Sequence, residues 1–315
     1  MIVLVSGGAG FIGSYLCEFL IKHGHEVYCL DNLSTGHKSN IRLLLSNRRF
    51  HFIRADVTLP RSFKVKAIFH MASPASPLQY IQRSIPTMLT NSLGTYYLLE
   101  LARKTGARFL FASTSEVYGE PLQHPQKESY WGNVNPIGVR SCYDESKRFG
   151  EAMTMEYYRK YGVDARVIRI FNTYGPRLDS ADGRVVSNFI VQALNRQPLT
   201  IYGKGTQTRS FCYVSDMVVG IYRAMFFPKT KGEVINLGSP TEITISQCAS
   251  LVQQILGLPH SMIHKPLLRD DPTRRKPDIR KAKKLLKWQP VVSMKAGLKV
   301  TIEWFRGIEP TKERR

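Results

Sequence analysis

Tyr143 and Lys147 stand four residues apart in Ser141-Cys-Tyr-Asp-Glu-Ser-Lys147, so a helix there stacks a phenol and an ammonium on one face. A cation beside a phenol favours the phenolate and brings it toward use as a base near neutral pH. Ser141 is the expected N-cap of that helix, with Asp144 three residues on. The same spacing taken alone also describes an exposed helix face. A second set of reactive groups lies in Ala112-Ser-Thr-Ser-Glu-Val-Tyr-Gly119, just after the apolar run Arg108–Ala112. Where that strand leaves its sheet, Thr114 offers a hydroxyl that can share an oxygen with Tyr143. Ser115 follows it, and Glu116 brings a carboxylate that either serves proton transfer or is simply bonded to loop amides.

A third set precedes both. The apolar strand Ile2–Val5 runs into Ser6-Gly7-Gly8-Ala9-Gly10-Phe11-Ile12-Gly13, which opens a helix. Gly7, Gly10 and Gly13 let the backbone approach a pyrophosphate, and the helix start at Phe11 and Ile12 offers free N–H groups and a positive dipole end. Asp31 ends the next strand, 18 residues beyond Gly13, where a carboxylate bonds ribose hydroxyls. Its charge repels a 2′-phosphate, so NAD is expected rather than NADP. Asn32 adjoins it, Asp56 and Val57 are placed to meet the adenine, and Ala72 follows the strand Ala67–His70.

Strands alternating with helices must position these groups, which predicts an α/β fold: a Rossmann-type, doubly wound parallel sheet with a smaller C-terminal lobe. A long helix is expected over about 83–104, a loop over 120–138, and a helix from Tyr143 to about Tyr161. The alternation weakens after Phe171. The expected division is therefore a dinucleotide-binding domain over 1–171 and a second lobe over 172–315, part of which returns to the first.

The composition, 43% hydrophobic and 22% charged over 315 residues, is that of an ordinary globular protein. No apolar run is long enough to span a membrane, the start lacks a signal-peptide pattern, and the chain opens on its first strand, so no anchor is expected. Five scattered cysteines show no metal-ligand spacing and predict reduced thiols in the cytoplasm, with no metal. The net charge is +21, and residues 261–315 carry 16 Lys/Arg against 6 Asp/Glu. No aromatic-interleaved basic motif, zinc finger or helix-turn-helix accompanies it, so nucleic acid is not the expected partner.

Together these residues resemble the extended short-chain dehydrogenase/reductases that act on nucleotide sugars. The resemblance spans nearly the whole chain: GGAGFIG, DNLSTG (31–36), YxxxK (143–147), FNTYGPR (171–177) and RSFCYVSD (209–216). Within that group HMASPASP (70–77), STSEVYG (113–119), YWGNVNPIGVRSCYDESKR (130–148) and DPTRRKPDI (271–279) are similar to the UDP-glucuronate decarboxylases, which form UDP-xylose. Val139 occupies a position that is not fixed in that pattern, and Ser146 stands where the pattern has glycine. The resemblance implies a homodimer, packed through the helices near 83–104 and 143–161. It also implies a nucleotide-sugar site with Asn172 and Ser115 near the sugar, Arg184, Arg209 and Arg275 as anion partners, and Tyr202 on the uridine side. A 4-epimerase would share Tyr143, Lys147 and the glycine turn but needs no carboxylate at 116. A 4,6-dehydratase carries an Asp-Glu pair after the threonine, where this chain has Ser115-Glu116. A non-catalytic relative would not need Thr114, Tyr143 and Lys147 intact.

Overall fold

The computed structural model describes residues 1–267 and 270–307. Six strands, β1 (Ile2–Ser6), β2 (Glu26–Asp31), β3 (Phe50–Arg54), β4 (Ala67–His70), β5 (Arg108–Thr114) and β6 (Ala165–Ile170), join a late strand, Val234–Leu237, in one sheet. The order across it is Val234–Leu237, β6, β5, β4, β1, β2, β3, with every neighbouring pair parallel. Chain order reverses between β1 and β4, the switch point outside which such sheets bind ligands at their C-terminal strand ends. Sandwiched strands bury both faces and so read as continuous apolar runs. Val3, Leu4 and Val5 of β1, and Phe109, Leu110 and Phe111 of β5, have no exposed surface.

The return to this sheet comes late: Val234 pairs with Val167 and Leu237 with Ile170. The other layer of the later chain packs helices Val185–Leu194, Ile245–Leu256 and Met294–Arg306 around Phe189, Ile190, Ile201, Val252 and Leu298.

Two expected helices differ in detail. The one over 83–104 is Ser84–Leu89 and Thr95–Thr105 joined by a π-helical turn, Thr90–Gly94. Gly94 lies so close to Val57 that a Cβ there would stand 2.8 Å from Val57 Cγ1. Ser92 and Thr95 hydroxyls donate back to the Met88 and Asn91 carbonyls, which accommodates the wider turn. The other helix spans Ser141–Tyr161 and is preceded by Arg140 as N-cap, so Ser141 lies inside it rather than capping it.

This second helix carries Tyr143 and Lys147, and its seat on the sheet is fixed by close packing. A Cβ on Gly150 would meet Phe111 Cζ at 2.3 Å, so only glycine lets the helix settle onto β5. One turn of contacts then locks its rotation. Glu151 accepts from Ser113 Oγ at 2.5 Å and from Arg169 Nε and Nη2 at 2.9 and 2.7 Å, joining the helix to β5 and β6. Buried charge of this kind is tolerated because both partners are fully paired.

Candidate active site

A cavity of about 360 Å³ runs over the C-terminal edge of the sheet. It is lined by Gly7, Gly10, Phe11, Ile12, Gly13, Asp31, Asn32, Val57 and Ala72 at one end. Thr114, Ser115, Glu116, Tyr143 and Lys147 lie in its middle, and Asn172, Arg184, Tyr202 and Arg209 on the side of the later chain. Two expected residues stand back from its wall. The Asp56 carboxylate accepts from Asn32 Nδ2 at 2.8 Å and from the Thr58 amide and hydroxyl at 2.8 and 2.7 Å, so it orients Asn32. Arg275, 1% exposed, lies behind Glu116.

The first end has the form of a dinucleotide cradle. Gly7 adopts φ 73°, where a side chain is strained, and a Cβ on it would lie 2.7 Å from Ala72 Cα. A Cβ on Gly13 would sit 2.0 Å from the Gly7 carbonyl oxygen. Asp31 takes the Ala9 amide on one oxygen (2.9 Å) and the Leu33 amide on the other (2.8 Å), which fixes its carboxylate at the strand end. Burial pushes its pKa up, and those amides oppose the rise. A bare turn, an open helix start and an oriented carboxylate fit the pyrophosphate and ribose of a dinucleotide. Gly13→Ala is therefore expected to weaken NAD binding roughly 5- to 150-fold, from the cost of about 1–3 kcal/mol typical of overpacking. Calorimetric titration checks it, and an unchanged Kd would remove the pyrophosphate from this turn.

In the middle of the cavity Tyr143 stacks on Tyr80, ring centroids 4.7 Å apart and planes 3° from parallel. Burial holds the Tyr143 hydroxyl well above its ordinary pKa, opposed by the Thr114 hydroxyl and, more weakly, the Arg184 guanidinium. Lys147 donates from Nζ to the Ala112 carbonyl at 2.7 Å and stands 5.8 Å from the Tyr143 ring centre. Its burial lowers its pKa to about 7, with Glu151 opposing. The depression of Tyr143 by Lys147 expected from their spacing does not govern the phenol here: burial raises it, and the groups that oppose the rise are Thr114 and Arg184. Ser146, a departure from the family pattern, is absorbed within the helix: its hydroxyl donates to the Cys142 carbonyl at 2.6 Å and accepts from Asn91 Nδ2 at 3.0 Å.

Guanidinium groups, rather than loop amides, hold the Glu116 carboxylate. Its Oε2 lies 2.5 Å from Arg140 Nη2 and 3.6 Å from Arg275 Nη2. Burial pushes its pKa up, but Arg275, Arg140 and Arg209 together hold the carboxyl below its usual range. Arg140 also donates to Asp271 Oδ1 at 3.1 Å, and Arg209 to Asp271 Oδ2 at 2.9 Å. Arg184 forms a two-point pair with Asp182, its Nη2 to Oδ1 arm at 3.0 Å. Tyr80, Arg140, Asp271 and Asp182 were not singled out from sequence. Arg140 and Asp271 lie inside the family-like stretches, and the pairs that give them meaning join residues far apart in the chain.

Asp144, next to Tyr143, is 7% exposed and its Oδ1 has no hydrogen-bond partner. Burial, reinforced by the charge of Glu116, pushes its pKa from 3.8 to about 8. The folded chain then holds a proton that the unfolded chain releases, so this group subtracts stability as pH rises from about 4 to about 8. Asp144→Asn is expected to stabilise the protein by a few kcal/mol at the alkaline end of that window and little at the acid end. Melting temperatures of both proteins across this range test it; a difference that does not grow with pH contradicts it.

Among the described residues no cluster of three or more His, Cys, Asp or Glu is arranged to hold a metal, and no helix is long and apolar enough to cross a membrane. The model of the "NAD dependent epimerase/dehydratase family" matches residues 3–238. UDP-glucuronic acid decarboxylase 2 of Arabidopsis thaliana is 52% identical over 307 residues, 96% of this chain and 68% of that protein. UDP-glucuronic acid decarboxylase 1 of Xenopus tropicalis is 51% identical over 304 residues, 96% of this chain and 72% of that one. Among solved structures, the UDP-glucuronic acid 4-epimerase of Bacillus cereus, in complex with UDP-glucuronic acid and NAD, superposes with a TM-score of 0.87 at 31% identity. That superposition covers 97% of this chain and 99% of the epimerase. With this match along nearly its whole length, the chain belongs to the NAD dependent epimerase/dehydratase family and, within it, to the UDP-glucuronic acid decarboxylases.

Proposed function

We propose that the protein converts UDP-glucuronate to UDP-xylose and CO₂ through a 4-keto sugar, with NAD recycled in place. The observation that carries this reading is the meeting, in one cavity, of Tyr143, Lys147 and Thr114 with a Glu116 held charged by guanidinium groups. A 4-epimerase requires the first three groups and not the last.

NAD⁺, held by the glycine turn and Asp31, would supply the hydride acceptor for sugar C4 and the hydride donor for its restoration, and its ring charge would favour the Tyr143 phenolate. Tyr143 takes the O4 proton, and Thr114 donates to the same oxygen. Lys147, with a pKa of about 7, holds or releases a proton one helical turn away. The 4-keto uronate is a β-keto acid, so loss of its carboxyl group as CO₂ leaves an enolate whose oxygen Tyr143 and Thr114 stabilise. A proton taken up from solvent then replaces the lost carboxyl group at C5. Ser115 and Asn172 contact the sugar, Arg184 and Arg209 the diphosphate, and Tyr202 the uridine. Arg275 balances the extra carboxylate from behind Glu116. We assign residues 1–171 to the cofactor half and 172–315 mainly to the nucleotide-sugar half, with Val234–Leu237 completing the first.

A homodimer is part of the proposal. Ile85, Met88, Leu89 and Tyr96 on the helices between 84 and 105, and Phe149 and Tyr161 on 141–161, are between 42 and 63% exposed. Two copies joined on this apolar face would cover it. Five buried free cysteines suit a reducing cytoplasm. The test is incubation of the purified protein with UDP-glucuronate and NAD⁺. CO₂ and UDP-xylose are expected; UDP-galacturonate without CO₂ would make it an epimerase. Sedimentation checks the dimer.

A further inference from the structure

The anion-binding arginine of the later lobe is already engaged by a carboxylate of the protein itself. Arg209 donates from Nη2 to Asp271 Oδ2 at 2.9 Å and from Nη1 to the Thr208 carbonyl at 2.9 Å. The other Asp271 oxygen accepts from Arg140 Nη1 at 3.1 Å, and Arg140 Nη2 reaches Glu116 Oε2 at 2.5 Å. One unbroken chain of ion pairs therefore runs from Arg209, through Asp271 and Arg140, to the end of β5. Asp271 is its most accessible member, with 28% of its side chain exposed against 9 and 10% for the two arginines. Its backbone is held nearby: the Thr273 amide donates to Glu120 Oε2 at 2.8 Å, and Arg274-Arg275 pairs in register with Thr208-Arg209.

We propose that Asp271 is a positioning residue that aligns Arg209 and Arg140, yields Arg209 to the substrate diphosphate, and so relays occupancy of the anion site to Glu116. A diphosphate offers more charge and more acceptor oxygens than one carboxylate, and a guanidinium fork turns to it. Asp271 is then left with Arg140 alone. Arg140 must serve two carboxylates without help from Arg209, and its grip on Glu116 slackens when substrate is in place. Glu116 is thus held charged and immobile before binding and is freed toward the sugar after it.

The proposal rests on the decarboxylase reading and makes a signed split that loss of structure would not produce. Asp271→Asn removes the competitor for Arg209, so UDP is expected to bind three- to tenfold more tightly. It also leaves Arg140 clamped on Glu116, so kcat with saturating UDP-glucuronate is expected to fall at least fivefold. Asp271→Glu, which keeps the charge, is expected to return both values toward those of the natural chain. Calorimetric titration with UDP and steady-state kinetics with UDP-glucuronate read the two halves; if Asp271→Asn does not fold, Asp271→Ser is read the same way. UDP binding that is no tighter, or a kcat that is no lower, overturns the relay. If the unmodified protein neither binds UDP nor releases CO₂, the decarboxylase reading fails instead, and the relay falls with it.

Discussion

Tyr143→Phe is expected to lower kcat roughly 10³-fold, within the range found when a positioned general base is removed. NAD affinity should change less than about threefold. The substitution deletes one oxygen and keeps the ring, so the stack on Tyr80 at 4.7 Å survives. The bond from Lys147 to the Ala112 carbonyl and the glycine turn do not involve the hydroxyl. What is lost is the atom proposed to take the O4 proton and later to steady the enolate. The pH profile gives a second reading with a definite sign. Burial holds the phenol above its ordinary pKa, so the active phenolate is scarce at low pH and kcat/KM should climb as pH rises. The variant should lose that climb. Turnover within tenfold of the natural chain, or an unchanged pH profile, would remove Tyr143 from the base's role.

Why Tyr143 was legible in the sequence and its environment was not follows from the range of the interactions. The i, i+4 relation to Lys147 and the glycine turn after a strand are short-range patterns, and helix and strand geometry alone turn them into shared faces. The parallel sheet was legible for the same reason, since strands buried on both sides must be apolar throughout. The stack of Tyr80 on Tyr143 and the bridge from Arg140 to Asp271 join residues 63 and 131 positions apart. Nothing local marks them. The π-helical turn at Thr90–Gly94 likewise depends on Val57, which arrives from another strand end. The Lys147 pKa of about 7 comes from complete burial, which a charge placed on a helix face does not reveal. Arg275 could be chosen for its charge, but its place behind Glu116 is set by the short strand that pairs it with Arg209.

Glu116→Gln keeps the shape of the side chain and removes its charge, and its expected effects separate a structural from a chemical role. On stability, Arg140 and Arg275, 10 and 1% exposed, lose the carboxylate they share. Uncompensated buried charge typically costs 3–5 kcal/mol; Asp271 still pairs with Arg140, so a loss on the order of 3 kcal/mol is expected near neutral pH. The sign with pH is fixed by Glu116 itself. Its folded pKa lies below the ordinary 4.5, so its contribution is present above that value and disappears as pH falls through the lowered one. The deficit should therefore close in acid. Asp144 supplies a cross-check: without the Glu116 charge, one cause of its raised pKa is gone, and it should ionise at lower pH and partly replace the missing anion. On chemistry, Tyr143, Thr114 and Lys147 remain in place, so C4 oxidation should proceed while decarboxylation or protonation of C5 slows. UDP-xylose formation is expected to fall about 10²-fold, as for loss of a group active in proton transfer, with NADH and the 4-keto sugar accumulating. A purely structural carboxylate predicts lower stability with both steps slowed alike, because a loosened cavity cannot distinguish them. If UDP-xylose forms at the natural rate with no build-up of NADH, Glu116 serves neither step and acts only as the counter-charge that seats Arg140 and Arg275.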